Sequence, residues 1–170
     1  MKRNILIFGL ISGALLCVNM VLMINMMYTG TGMKGNDVVG YTALVAMFSL
    51  IFFGVRNYRN KELNGYIPFG KAFKTGLLIA LVSSSLYVVV WLFYYYLFVP
   101  DFIDVYTSYV LKYCSPDDLQ AKAAEMADFK EMYKNPLFVV LITYSEVLPV
   151  GFVVALVSAL ILKKKQPQSV

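Results

Sequence analysis

The sequence predicts an all-α protein, an integral membrane four-helix bundle, and three observations carry that prediction. Of its 170 residues, 59% are hydrophobic and 15% charged, against about 45–50% and about 25% in ordinary soluble domains. Charged residues are missing from 4–33, 38–55 and 75–100, and Glu146 alone interrupts 135–162. Each run reaches the roughly 17–25 residues that a helix needs to cross a hydrocarbon core. The remaining charges cluster between the runs, as flanking charges do around membrane spans.

Taken in order, the spans are expected at about 5–27, 38–55, 75–99 and 137–162, in one membrane domain over 1–170. The first is too long for the h-region of a cleaved signal peptide and has no small-x-small site after it, so it reads as a retained span. Lys2, Arg3, Arg56, Arg59, Lys61, Lys71, Lys74, Lys163, Lys164 and Lys165 fall on one side, against Lys34, Lys112, Lys122, Lys130 and Lys134 on the other. The positive-inside rule then puts both termini and the loop 56–74 in the cytoplasm, and loop 100–136 on the outer side. The same scatter beside lipid argues against nucleic acid as a partner.

Loop 100–136 is too long for a turn and too apolar for disorder. Ser115-Pro116-Asp117-Asp118 reads as a helix start, with Ser115 capping and Pro116 at the first position. Leu119, Ala123, Met126, Phe129 and Tyr133 follow at helical spacing, and the helix should stop near Asn135-Pro136. Phe102, Tyr106, Tyr109 and Tyr113 repeat the pattern upstream. This outer hairpin either packs on the bundle or serves as a partner-binding or gating cap.

Glu146 is the most informative single residue. A carboxylate inside a span should face the bundle interior or water. Pro149, three residues on, removes a backbone hydrogen bond and is expected to kink the helix ahead of Gly151. Two readings stand. One is a static clasp, a neutral acid hydrogen-bonded to Asn19, Asn25, Ser83, Ser84 or Ser85; the other is an intramembrane polar site of Glu146, Asn19 and Ser84 serving a proton- or ion-coupled carrier. No Lys or Arg lies deep in a span, which favours the neutral acid.

Gly9 and Gly13, with Cys17 four residues beyond, form a row of small side chains for close helix approach, within the chain or in a homo-oligomer, and Pro149 and Gly151 are expected as further helix-packing positions. Met23-x-x-x-Met27 puts two thioethers on one face, a pattern soft enough for Cu(I) but better explained as apolar filler. There is no histidine, and the two cysteines are too few for a disulfide framework or zinc site. Walker A, GxGxxG, GxSxG, HExxH and CxxC motifs are missing as well. No enzyme, cofactor or metal is therefore expected.

The segment Phe53-Gly54-Val55-Arg56-Asn57-Tyr58-Arg59, followed by Gly65-Tyr66-Ile67-Pro68-Phe69-Gly70-Lys71-Ala72-Phe73-Lys74, resembles the domain-of-unknown-function family 4199, small inner-membrane proteins found mostly in Bacteroidota. Asn135-Pro136, Pro149-Val150-Gly151 and the lysine-rich end extend the resemblance over nearly the whole chain. It implies four spans and a bacterial envelope setting, and it brings no catalytic residues. Read physically, Arg56 and Arg59 sit three apart and can face the same lipid phosphates. Gly65 and Gly70 allow a turned re-entry, and Lys71 and Lys74 add charge beside the membrane. The expected role is thus a non-enzymatic inner-membrane protein acting by helix packing, contact with membrane lipids or binding of a membrane partner protein.

Overall fold

The computed structural model describes residues 1–30 and 37–165. Its helices are α1 (Lys2–Tyr28), α2 (Asp37–Phe48), α3 (Leu50–Glu62), α4 (Phe69–Leu97), α5 (Phe102–Tyr113), α6 (Leu119–Tyr133) and α7 (Pro136–Leu162). Four stretches are long and apolar enough to cross a membrane: Lys2–Tyr28, Gly40–Glu62, Phe69–Leu97 and Pro136–Leu162. Their outward faces are greasy. Leu6, Leu10, Val18 and Leu22 on α1, and Leu137, Leu141, Val153 and Ile161 on α7, are all exposed. Such faces are stable only against acyl chains.

α4 is the central helix, packed along α1 on one side and α7 on the other, with α3 leaning on all three. One end of the bundle gathers the N-terminus and the end of α7. The Met1 amino group pairs with Glu62, and the backbones of Ile67 and Lys164 exchange hydrogen bonds of 3.0 and 2.8 Å. At the other end Tyr28 donates to Asp101 at 2.8 Å, tying α1 to the turn after α4. These are called here the terminal end and the hairpin end.

The second span is where the expected boundaries shift. The chain turns at Ser49, whose hydroxyl donates to the Ala46 carbonyl at 2.6 Å and competes with the helical ladder. Beyond the turn α3 buries Ile51, Gly54, Val55 and Tyr58, a helical repeat that carries the core face past the uncharged run. Arg56 and Arg59 therefore lie on α3 and not in a loop. α4 likewise begins at Phe69, so Lys71 and Lys74 occupy its first turns and the expected loop 56–74 shrinks to 63–68. Gly65 does adopt the left-handed conformation a turn needs, with φ of 86°, beside Asn64 at 50°. Gly70 is simply helical.

Two apolar cores result. The larger, in the terminal half, gathers Leu16, Ile51, Val55, Ile79, Ala80, Val147, Ala155 and Ala159 around the Phe48 ring, with Tyr58 at its edge. The smaller, in the hairpin half, sets Trp91, Tyr95 and Tyr133 among Met20, Ile24, Val99, Ile103 and Val139.

Candidate functional site

Close packing seals the terminal half. A Cβ added to Gly9 would lie 2.6 Å from Val82, and one added to Gly151 would lie 2.9 Å from Ala80. At Gly13 the Leu86 side chain is 3.0 Å away. The small-residue row of α1 is therefore used inside the chain, against α4. Gly54 and Gly76 do the same work against Ile79 and Ala155, and sequence spacing did not single them out. Their signal was their register on the buried faces of α3 and α4, which only the helix bounds reveal. Pro149 is exposed, and α7 runs through it as one helix.

Above this seal the helices part around a cavity of about 370 Å³. Asn19, Met20, Met23 and Ile24 of α1 form one wall, and Gly40, Tyr41 and Leu44 of α2 another. Tyr87 and Trp91 of α4 face Thr143 and Glu146 of α7. The roof is Phe102 and Tyr106 of α5 with Phe129 and Tyr133 of α6. The hairpin thus caps the bundle, and the cap closes over a space.

Continuous ring contacts hold the roof together. Trp91 meets Phe102 edge-on at 4.8 Å, Phe102 stacks on Tyr106 at 5.7 Å, and Phe129 lies 4.7 Å from Tyr133. Lys130 pairs with Asp104 between α6 and α5. Of the apolar face expected on α6, Met126 and Tyr133 are buried and Phe129 half-buried, while Leu119 and Ala123 remain exposed. Ser115 makes no side-chain cap; a 3-10 turn over Pro116–Asp118 leads into α6 instead. At the other boundary Asn135 caps α7, accepting from the Leu137 amide at 3.0 Å.

Glu146 opens onto this cavity at roughly mid-span, ten residues or about 15 Å along α7. Among the described residues nothing hydrogen-bonds to its carboxylate. The partners proposed for a clasp are engaged elsewhere: Asn25 donates to Val21, Ser83 to Gly9 and Ile79, and Ser85 accepts from Tyr144. Asn19 shares the cavity wall with Glu146. Ser84 does not: it is fully buried in packing, its hydroxyl without a partner among the described residues. Electrostatic interaction links Glu146 to Tyr87 and Tyr133. Burial pushes the Tyr133 phenol well above its ordinary range, Glu146 reinforces the shift, and a hydrogen bond from Trp91 opposes it. Tyr133 therefore keeps its proton and stays a neutral hydroxyl beside the acid.

The charged groups at the terminal end divide differently from their spacing. Arg59 is half-buried and turns inward, donating to Asn60 at 2.9 Å and to the Leu162 carbonyl at 3.2 Å. It satisfies a last-turn carbonyl of α7, where a cation also complements the helix dipole. Arg56, Lys71 and Lys74 are exposed.

The family model described as "Protein of unknown function (DUF4199)" matches residues 7–164, nearly the whole chain. The chain belongs to the DUF4199 family. Neither the curated proteins nor the solved structures hold a match to it. The DUF4199 match spans all four candidate membrane helices, the glycine seal and the aromatic cavity alike.

Proposed function

We propose that this DUF4199 protein is a non-enzymatic binding protein of the bacterial inner membrane, which holds a small molecule under its outer hairpin. One observation carries the reading: a roofed cavity of about 370 Å³ that contains an intramembrane carboxylate with no hydrogen-bond partner among the described residues. Ligand sites are typically concave, mostly apolar and about 300–1,000 Å³, with few polar groups. A polar group inside a membrane is by default a functional one.

Both termini face the cytoplasm in this reading. Support comes from the gathering of Lys2, Arg3, Arg56, Lys61, Lys71, Lys74, Lys163 and Lys164 at one end of the bundle, the distribution that positive-inside topology favours. The exposed Arg56, Lys71 and Lys74 contact anionic headgroups there. The cavity then opens in the periplasmic half. The carrier reading of Glu146 is the second one. It needs a path through the terminal half, where Gly9 meets Val82 and Gly151 meets Ala80, so it requires those helix crossings to separate.

Two measurements test the proposal. Reporter fusions at Asp117 should be active only with a periplasm-active enzyme; cytosolic activity would invert the topology. A thermal-stability screen of small amphipathic molecules should find compounds that stabilise the native protein but not Gly40→Phe, whose new ring would fill the cavity. A screen with no stabilising compound, or one that shifts both proteins equally, overturns the binding reading.

A further inference from the structure

The cavity's lining is chemically lopsided. Among the described residues it contains one carboxylate, no Lys or Arg, and seven aromatic residues. An ionised carboxylate at this depth without a counter-charge is unfavourable, so the acid either keeps its proton or pairs with a cation that enters the cavity. Among the described residues no cation lines the cavity.

What kind of cation fits follows from the walls. A hard metal ion takes about six to eight oxygen ligands. Besides Glu146 the cavity offers only the Asn19 amide, the Thr143 hydroxyl and tyrosine hydroxyls, and the Thr143 hydroxyl already donates to Val139 at 2.7 Å. The volume also far exceeds a bare ion. Aromatic faces, by contrast, attract a positive charge through their quadrupoles and favour a diffuse, weakly hydrated one. Tyr87, Trp91, Tyr106 and Tyr133 supply such rings around the acid.

We infer that the cavity takes an organic cation, an alkyl- or arylammonium whose charged head sits beside Glu146 while its apolar groups pack among the rings of α4, α5 and α6. The inference rests on the binding reading above and adds the class of ligand. Asn19 and the tyrosine hydroxyls provide further polar contacts. The ammonium is carried either by a free molecule or by a lipid headgroup.

The chain has a built-in reporter, because Trp91 is its single tryptophan and lies in the cavity wall. Benzyltrimethylammonium and its neutral isostere neopentylbenzene differ in charge and hardly at all in shape. Titrated onto the full chain in dodecyl maltoside, the cation should change Trp91 fluorescence saturably and bind at least about tenfold more tightly than the isostere, the difference a desolvated cation–π and ion contact supplies. Glu146→Gln should erase that preference. Should that variant fail to fold, Tyr106→Leu gives an independent reading, because losing a ring must weaken the cation more than the isostere. Competition by added phosphatidylethanolamine would assign the site to a lipid ammonium, and lack of competition to a free one. Equal affinities, an unchanged preference in Glu146→Gln, or no saturable response to the cation would each overturn the inference. Equal affinities would leave the binding reading standing, whereas only the failed stability screen removes that reading itself.

Discussion

A methyl group added to Gly9, in the terminal half, would land 2.6 Å from Val82; the same group added to Gly40, beside the cavity, would meet nothing within 4 Å. The two halves share their long helices, so the contrast comes from side chains. In the terminal half glycine and alanine let the backbones close up, and aliphatic groups with the Phe8 and Phe48 rings fill what is left. In the hairpin half rings prop the helices apart and a second layer, α5 and α6, closes over the gap. Small residues make a seal because dispersion rewards contact at short range. A membrane bundle can thus be rigid in one half and receptive in the other.

The largest expected effect comes from forcing the seal. Gly9→Leu should destabilise the protein by about 3 kcal/mol, at the upper end of overpacking, because Val82 is β-branched and has little rotamer freedom to yield. Gly40→Leu should change stability by less than about 1 kcal/mol, since the added side chain enters open space. Denaturant or thermal unfolding in matched micelles measures both, and similar losses would dissolve the contrast between the halves.

Asn4 sharpens it next. Buried in the terminal half, it donates to the Gly54 carbonyl at 2.8 Å and accepts from Asn57 at 2.6 Å. Asn4→Ala should lose about 1–3 kcal/mol, the range for leaving buried polar groups unpaired. A loss below that would mean the interior there is wetter than its packing suggests.

Arg59 and Arg56 form a third pair. Arg59→Ala should lower stability by about 1 kcal/mol through the Leu162 carbonyl it satisfies, with little change in lipid preference. Arg56→Ala should leave melting unchanged and weaken the preference for anionic over neutral lipid in flotation. Equivalent behaviour of the two would restore them as a single phosphate-facing pair. The smallest effect is expected from Lys130→Ala, which removes an exposed pair with Asp104 and should shift stability by no more than about 1 kcal/mol. A larger loss would show that the roof depends on that ion pair and not on its rings.

Span number was legible because 18 or more uncharged residues in a row have few structural outcomes. The helical hairpin over 102–133 was legible too, from its spacing of aromatic and apolar residues. The start of α6 was not, since Ser115 and Pro116 fit both a capped helix and the 3-10 turn that forms. The extension of α3 past Val55 was hidden because charge signals a membrane boundary, while helices continue wherever their buried face does; Tyr58 continues it. Glu146 drew attention from the sequence alone, and it lines the cavity together with Asn19. Ser84 lies outside that lining, because neighbouring serines on one helix point about 100° apart and composition does not say which faces a cavity.

Local chemistry along the chain was enough to determine four apolar helices, their approximate ends and the surface carboxylates and lysines of the hairpin. Those are nearest-neighbour properties, set by how each stretch partitions between water and lipid. Only the tertiary structure decided that Gly9, Gly54, Gly76 and Gly151 belong to one seal, that Arg59 turns inward, and that rings from four separate helices line one cavity with Glu146. Each of these depends on the rotation of one helix about its axis relative to another. That rotation is chosen by the sum of many weak contacts, which no single segment contains.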